Sequence, residues 1–96
     1  MIHIKVEFFG LFIELAGRKE LDIETDKTAT VMDLVNKIEG MGNVDFKKGV
    51  VDSETQKLRD DVMLVLNKRD ITNRQGLDTA LNDKDELQFY AVSLGG

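Results

Sequence analysis

Thr30-Val31-Met32-Asp33-Leu34-Val35-Asn36-Lys37-Ile38-Glu39-Gly40 is the clearest helix in the chain, and its place among strands decides the fold. Thr30 is a good cap residue: its hydroxyl can accept a hydrogen bond from the backbone of Asp33, and Asp33 is favourable near the positive helix end. Val31, Leu34, Val35 and Ile38 follow at i, i+3, i+4 and i+7. That spacing makes one apolar stripe, which predicts a helix lying on a sheet. Gly40 and Gly42 stop it, with Gly40 expected to adopt the left-handed cap conformation.

Upstream, Ile2, Ile4, Val6 and Phe8 alternate with His3, Lys5 and Glu7, the period of a half-buried strand. Gly10 breaks this run, residues 11 to 16 can form a helical turn through Leu11 and Leu15, and Gly17 lets the chain reverse. A second strand is expected at Leu21 to Glu24, closing a hairpin with a wide connection. Downstream, Phe46, Val50 and Val51 suggest a short helical turn packed on the core, and Asp52 to Asp60 reads as a charged, solvated loop. Val62 to Leu66 is apolar on both faces, the pattern of a central strand at least partly covered on both sides. Asn67 to Asp70 supplies turn chemistry without the glycine of a tight hairpin. Ile71 and Thr72 then begin a short fourth strand, Leu77 and Leu81 point inward from another turn, and Asp83-Lys84-Asp85 turns into a last strand, Glu86 to Val92, with Leu87, Phe89 and Ala91 on one side.

Strand, strand, helix, strand, short strand, strand is an α+β order with one main helix for one sheet face. It favours a mixed sheet of four to five strands with the last strand beside the first, the β-grasp or ubiquitin-like arrangement. Residues 1–92 form that domain, and residues 93–96 are expected to be a flexible diglycine tail.

Composition narrows the chemistry. The 96 residues include 13 Lys plus Arg against 18 Asp plus Glu, for a net charge of −5. One core fits in this length, and domains of this size bury roughly 60–70% of the surface of the unfolded chain, so neither disulfide nor metal is needed. The acidic balance and dispersed basic pairs, Arg18-Lys19 and Lys47-Lys48, argue against nucleic acid as a ligand. Phe8 to Leu15 is too short and too acidic for a signal or membrane segment, and no membrane association is expected. With no cysteine, the expected compartment is cytoplasmic. The absence of cysteine and the single histidine, His3, remove Cys nucleophiles, multi-His metal sites and His-centred triads. His3 reads as a surface residue, and Asp83-Lys84-Asp85-Glu86 lacks the glycine and closing glutamate of a calcium loop. The chain is expected to act as a substrate or accessory subunit, not as an enzyme, and to bind no metal or cofactor itself.

The remaining feature is Ser93-Leu94-Gly95-Gly96, immediately after the last strand. A carboxylate becomes an acyl donor only after activation. An ATP-dependent partner must thread it through a narrow channel, where side chains on the last two residues would obstruct the approach, and glycine is the residue that fits. Four extended residues span at most about 14 Å, enough to enter a cleft while the body docks outside.

Val6-Glu7-Phe8-Phe9-Gly10, Glu14-Leu15-Ala16-Gly17, Thr30 to Val35, Leu58-Arg59-Asp60, Val65-Leu66-Asn67, Arg69-Asp70-Ile71, Asp83 to Leu87 and Gly95-Gly96 come in an order that resembles the MoaD/ThiS group of β-grasp sulfur carriers and the related ubiquitin-like modifiers. The resemblance implies that a ubiquitin-activating-like adenylating enzyme uses MgATP to convert the Gly96 carboxylate to an acyl-adenylate, which a sulfur donor turns into a thiocarboxylate. Without cysteine, sulfur cannot ride on a side chain as a persulfide and must be carried on the chain end. In this scheme Gly96 reacts, Gly95 is its steric companion, and Leu94 and Ser93 are the tail read by the partner's groove. Tyr90 and Val92, on the face opposite Leu87 and Phe89, join Phe9 in a docking patch. The pathway implied is molybdenum cofactor biosynthesis, with the molybdopterin synthase large subunit as partner. Ala91-Val92-Ser93-Leu94 departs from the proline-containing endings of many molybdopterin synthase small subunits and is closer in character to ubiquitin-related and small archaeal modifiers. Sulfur donation to tRNA, isopeptide bonds from Gly96 to target-protein lysines, and a β-grasp binding module with an inert tail are the alternatives.

Overall fold

The periodicities translate into five strands and three helices in a computed structural model that describes residues 1–92. β1 (Ile2–Phe8), α1 (Leu11–Ala16), β2 (Glu20–Thr25), α2 (Val31–Glu39), α3 (Phe46–Val50), β3 (Val62–Leu66), β4 (Arg69–Asp70) and β5 (Glu86–Ala91) follow in order, with a 3-10 turn at Gly76–Asp78 before β5. The strands form one mixed sheet in the order β2-β1-β5-β3-β4. β5 runs parallel to β1 and antiparallel to β3, so the last strand lies beside the first, as the α+β β-grasp reading requires.

Alternation along β1 and β5 buries Ile4, Val6, Phe8, Leu87 and Phe89 on one sheet face, where Val31, Leu34, Val35 and Ile38 of α2 meet them. Phe8, Phe12, Phe46 and Phe89 form an aromatic cluster with edge, stacked and tilted contacts at 5.4–6.0 Å between centroids. Fully burying one such ring stabilises the fold by about 2–3 kcal/mol, so the short α3, which supplies Phe46, is held by packing and not by helix propensity. The α2 cap is reciprocal: Asp33 N–H donates to Thr30 Oγ1 at 3.3 Å, and Thr30 N–H donates to Asp33 Oδ2 at 2.9 Å.

Three readings are corrected. Gly40 is right-handed at φ −64°, and the positive φ of +101° falls on Gly42, because α2 ends in a further tight turn, with Met41 N–H bonded to the Ile38 carbonyl, before the chain reverses. β3 is paired on both edges, but β5 is the middle strand. Helices cover only the Val62/Leu64 face of β3 and leave Met63 and Val65 half-buried. The short fourth strand is Arg69–Asp70, two residues ahead of Ile71-Thr72, because Asn67 (φ +50°) and Lys68 (φ +69°) make a two-residue turn without any glycine. Ala91 falls on the same side as Leu87 and Phe89, as expected, and is exposed although its register partner Val62 is buried.

Candidate functional site

The alternation of β5 sends Gln88 and Tyr90 to the sheet face that carries no helix, and the chain beyond β1 brings Phe9 beside them. Phe9 N–H donates to the Phe89 carbonyl at 3.0 Å, the last bond between the two parallel strands. It sets the Phe9 and Tyr90 rings face to face, with centroids 4.4 Å apart and planes within 5°. Both are half-buried, and Val92 follows, 38% exposed. Tyr90 OH donates to Gln88 Oε1 (3.2 Å) and Gln88 Nε2 to Glu7 Oε1 (3.3 Å), a polar stripe bordering the aromatic pair. Phe9, Tyr90 and Val92 thus stand together where the chain leaves the sheet. Ser93, Leu94, Gly95 and Gly96 lie outside the described residues.

Four neighbours of this exit escaped the reading of single residues. Met63 is register partner of Tyr90 and extends the apolar patch, a position that follows only once β3 is placed beside β5. Gly10 carries φ +57° and ψ −131°, a conformation that side-chain-bearing residues rarely adopt. Asp61 accepts the Val92 N–H on its carbonyl at 2.9 Å. Arg59 grips the Asp61 carboxylate with two donors, Nε to Oδ1 (3.0 Å) and Nη2 to Oδ2 (3.1 Å). That fork holds the Asp61 carboxyl below the usual aspartate range and raises the Arg59 guanidinium, through hydrogen bonding first and charge second in the arginine's case.

A shallow groove of about 530 Å³, lined by Glu7, Phe8, Phe9, Ile13, Lys19 and Glu20, adjoins the aromatic pair. Another concavity of about 370 Å³ runs between Gln56–Leu58 and Thr72–Asp78 and shares no residue with the exit. Among the described residues no cluster of three or more His, Asp or Glu side chains has the geometry of a metal site. No helix among them is long and apolar enough to cross a membrane. His3 is exposed, as expected, between Glu24 (3.0 Å) and Asp83 (3.5 Å). None of the nine lysines is buried, so burial singles out no conjugation site.

A β-grasp body with an apolar patch where its central strand leaves the sheet, followed in sequence by Gly95-Gly96, fits a small ubiquitin-like carrier or modifier. The chain belongs to the ThiS family, whose sequence model matches residues 6–96. It is 26% identical over 95 residues to small archaeal modifier protein 3 of Haloferax volcanii, covering 99% of this chain and 100% of the relative. Two solved structures are each 28% identical to it. A Pyrococcus furiosus protein described as molybdopterin converting factor subunit 1 has a TM-score of 0.73 over 97% of this chain and 100% of its own. Urm1 of Trypanosoma brucei has a TM-score of 0.74 over 98% and 95%.

Proposed function

We propose that this chain carries an activated acyl group at Gly96. The Gly96 carboxylate attacks the α-phosphorus of MgATP in a ubiquitin-activating-like enzyme, pyrophosphate leaves, and an acyl-adenylate forms. A sulfur donor delivering hydrosulfide then displaces AMP to give the thiocarboxylate. The observation that carries this reading is the family match running through Gly95 and Gly96, which follow β5 in sequence, in a chain without a single thiol. Gly95 leaves room in the channel, Leu94 and Ser93 are the segment the channel reads, and Phe9, Tyr90 and Val92 rest on the enzyme's outer surface. The preferred acceptor is the molybdopterin precursor, with this chain as small subunit beside a synthase large subunit. The likeness to the Pyrococcus protein supports that choice.

The likeness to a small archaeal modifier favours a second reading, in which a target-protein lysine displaces AMP and forms an isopeptide bond with Gly96. Both begin with the adenylate. Incubation of the chain with its organism's adenylating enzyme and MgATP should release pyrophosphate, and removal of Gly96 should abolish that release. Intact mass of the chain isolated from its host then divides the readings: an oxygen-to-sulfur shift supports the carrier, and Gly-Gly remnants on lysines of other proteins support the modifier. Pyrophosphate release that is absent, or indifferent to Gly96, sinks both and leaves a binding module.

A further inference from the structure

The Val92–Asp61 bond belongs to a ladder whose spacing gives it a particular consequence. Asn67 N–H donates to the Glu86 carbonyl (2.8 Å) at one end of the β3–β5 pairing, and Val92 N–H donates to the Asp61 carbonyl (2.9 Å) at the other. Antiparallel pairing alternates bonded and non-bonded residue pairs. Asp61/Val92 and Met63/Tyr90 are therefore bonded pairs, and Val62/Ala91 between them is not. On its other side β5 is released from β1 after Phe89, where the last bond is the one to Phe9. If the Asp61 bond opens, the chain is next held at Tyr90, two residues earlier. The reach to Gly96 then grows by about 7 Å.

Asp61 is well placed to hold that point. Arg59 N–H donates to the Val50 carbonyl at the end of α3 (2.9 Å), Val62 N–H donates to the Arg59 carbonyl (3.2 Å), and the Arg59 side chain forks onto the Asp61 carboxylate. The turn is thus tied to a helix that is itself packed in the aromatic core. A bidentate guanidinium–carboxylate pair fixes geometry as well as charge.

We infer that Asp61, braced by Arg59, is a positioning residue: its carbonyl clasps Val92 and sets the point from which Gly96 is presented to the activating enzyme. This rests on the adenylation reading above. Docking through Phe9 and Tyr90 is held by β1 and β3 and does not depend on the clasp; alignment of the carboxylate with the nucleotide is what changes. Loss of the clasp should therefore act on kcat and spare KM.

The test uses the full chain with its adenylating enzyme, comparing Val92→Pro, which lacks the N–H, with Val92→Thr, which keeps it. Both variants alter the same docking side chain, so the N–H is read from the difference between them: Val92→Pro should show a kcat for pyrophosphate exchange about tenfold below that of Val92→Thr, with the KM values of the two within about twofold. Two serines inserted between Val92 and Ser93, with the clasp intact, should lower kcat to a similar degree. Arg59→Ala should speed hydrogen exchange at the Val92 amide about fivefold without lowering overall protection in β1. The inference is overturned if Val92→Pro and Val92→Thr turn over alike, or if the insertion leaves kcat unchanged. A wild-type chain giving no exchange at all overturns the activation reading instead, and the Val92 amide then reports on the clasp by itself.

Discussion

The two ends of β5 are held by different means. At its entry, Asp85 is buried (7% exposed) and accepts bonds from Asn67 Nδ2 (2.8 Å) and the Asn82 backbone N–H (2.8 Å), while Asn67 Oδ1 accepts the Glu86 N–H (2.9 Å). Lys5 N–H adds a bond to the Asp85 carbonyl (3.0 Å), so the Asp85 carboxylate and the Asn67 amide lock the β3–β4 turn to the start of β5, and the Asp85 backbone ties β1 to both. At its exit, β5 has a glycine beside it, one backbone clasp and an exposed ion pair. Under the proposed function, a strand that delivers its end to another protein is anchored firmly where it begins and lightly where it leaves.

The largest expected effect breaks the firm end. Asp85→Ala strands the Asn67 amide and the Asn82 N–H, and should cost about 2–4 kcal/mol in denaturant unfolding. A cost below about 1 kcal/mol would show that water replaces the carboxylate and that the two ends are equally light. Next comes Gly10→Ala at the exit. The nearest atom to an added Cβ is Ala91 Cβ at 3.8 Å, an ordinary contact, so the penalty is backbone strain alone. It should be about 1–3 kcal/mol, with hydrogen exchange accelerated at Phe9, whose N–H bonds the Phe89 carbonyl, more than at Lys5.

A smaller effect, of opposite sign, is expected at the turn in the entry lock. Asn67 and Lys68 both sit at positive φ, the pattern of a type I′ hairpin turn, in which glycine favours the second position. Lys68→Gly should stabilise the chain by about 0.5–1 kcal/mol, read as a raised unfolding midpoint at unchanged m-value. Destabilisation would mean that the Lys68 side chain makes a contact the backbone does not reveal.

Periodicity carried most of this fold, and long-range pairing carried what periodicity could not. β1, β5 and α2 were legible because their burial patterns repeat over six residues or more and their caps are local. α3 was legible only as a turn around Phe46 and Val50, since five residues hold no helical period of their own. Asp85 reads as one more charge in an acidic turn; its burial depends on Asn67, eighteen residues away. Asn67-Lys68 conceals a tight turn because asparagine and lysine occupy positive φ here only with the sheet already paired around them. At the site, the aromatic identities of Phe9 and Tyr90 could be read, and their stacking could not, because it depends on the parallel pairing of β1 with β5. Arg59 could be read only as part of the Leu58-Arg59-Asp60 block and Asp61 not at all: a pair two residues apart in a charged segment is ordinary until Val92 arrives beside it.

The least energetic comparison sets one carboxylate at each end against the other. Asp83, at the entry, is lowered chiefly by the backbone N–H of His3 (2.8 Å), and Asp61, at the exit, chiefly by the Arg59 side chain. For both, the folded pKa lies below the unfolded one. Their contribution to stability is thus fully present above the ordinary aspartate range and is lost as pH falls through the depressed folded values. Both pairs are exposed, so the loss is small and further screened by salt. Carboxyl chemical shifts should show each group titrating below a free aspartate. Arg59→Ala should return Asp61 toward the ordinary value and leave Asp83 where it is, since a backbone N–H holds the one and a removable side chain the other. If Asp83 moves as well, the two ends of β5 communicate through the strand, and the contrast between a firm entry and a light exit gives way to a single coupled clamp.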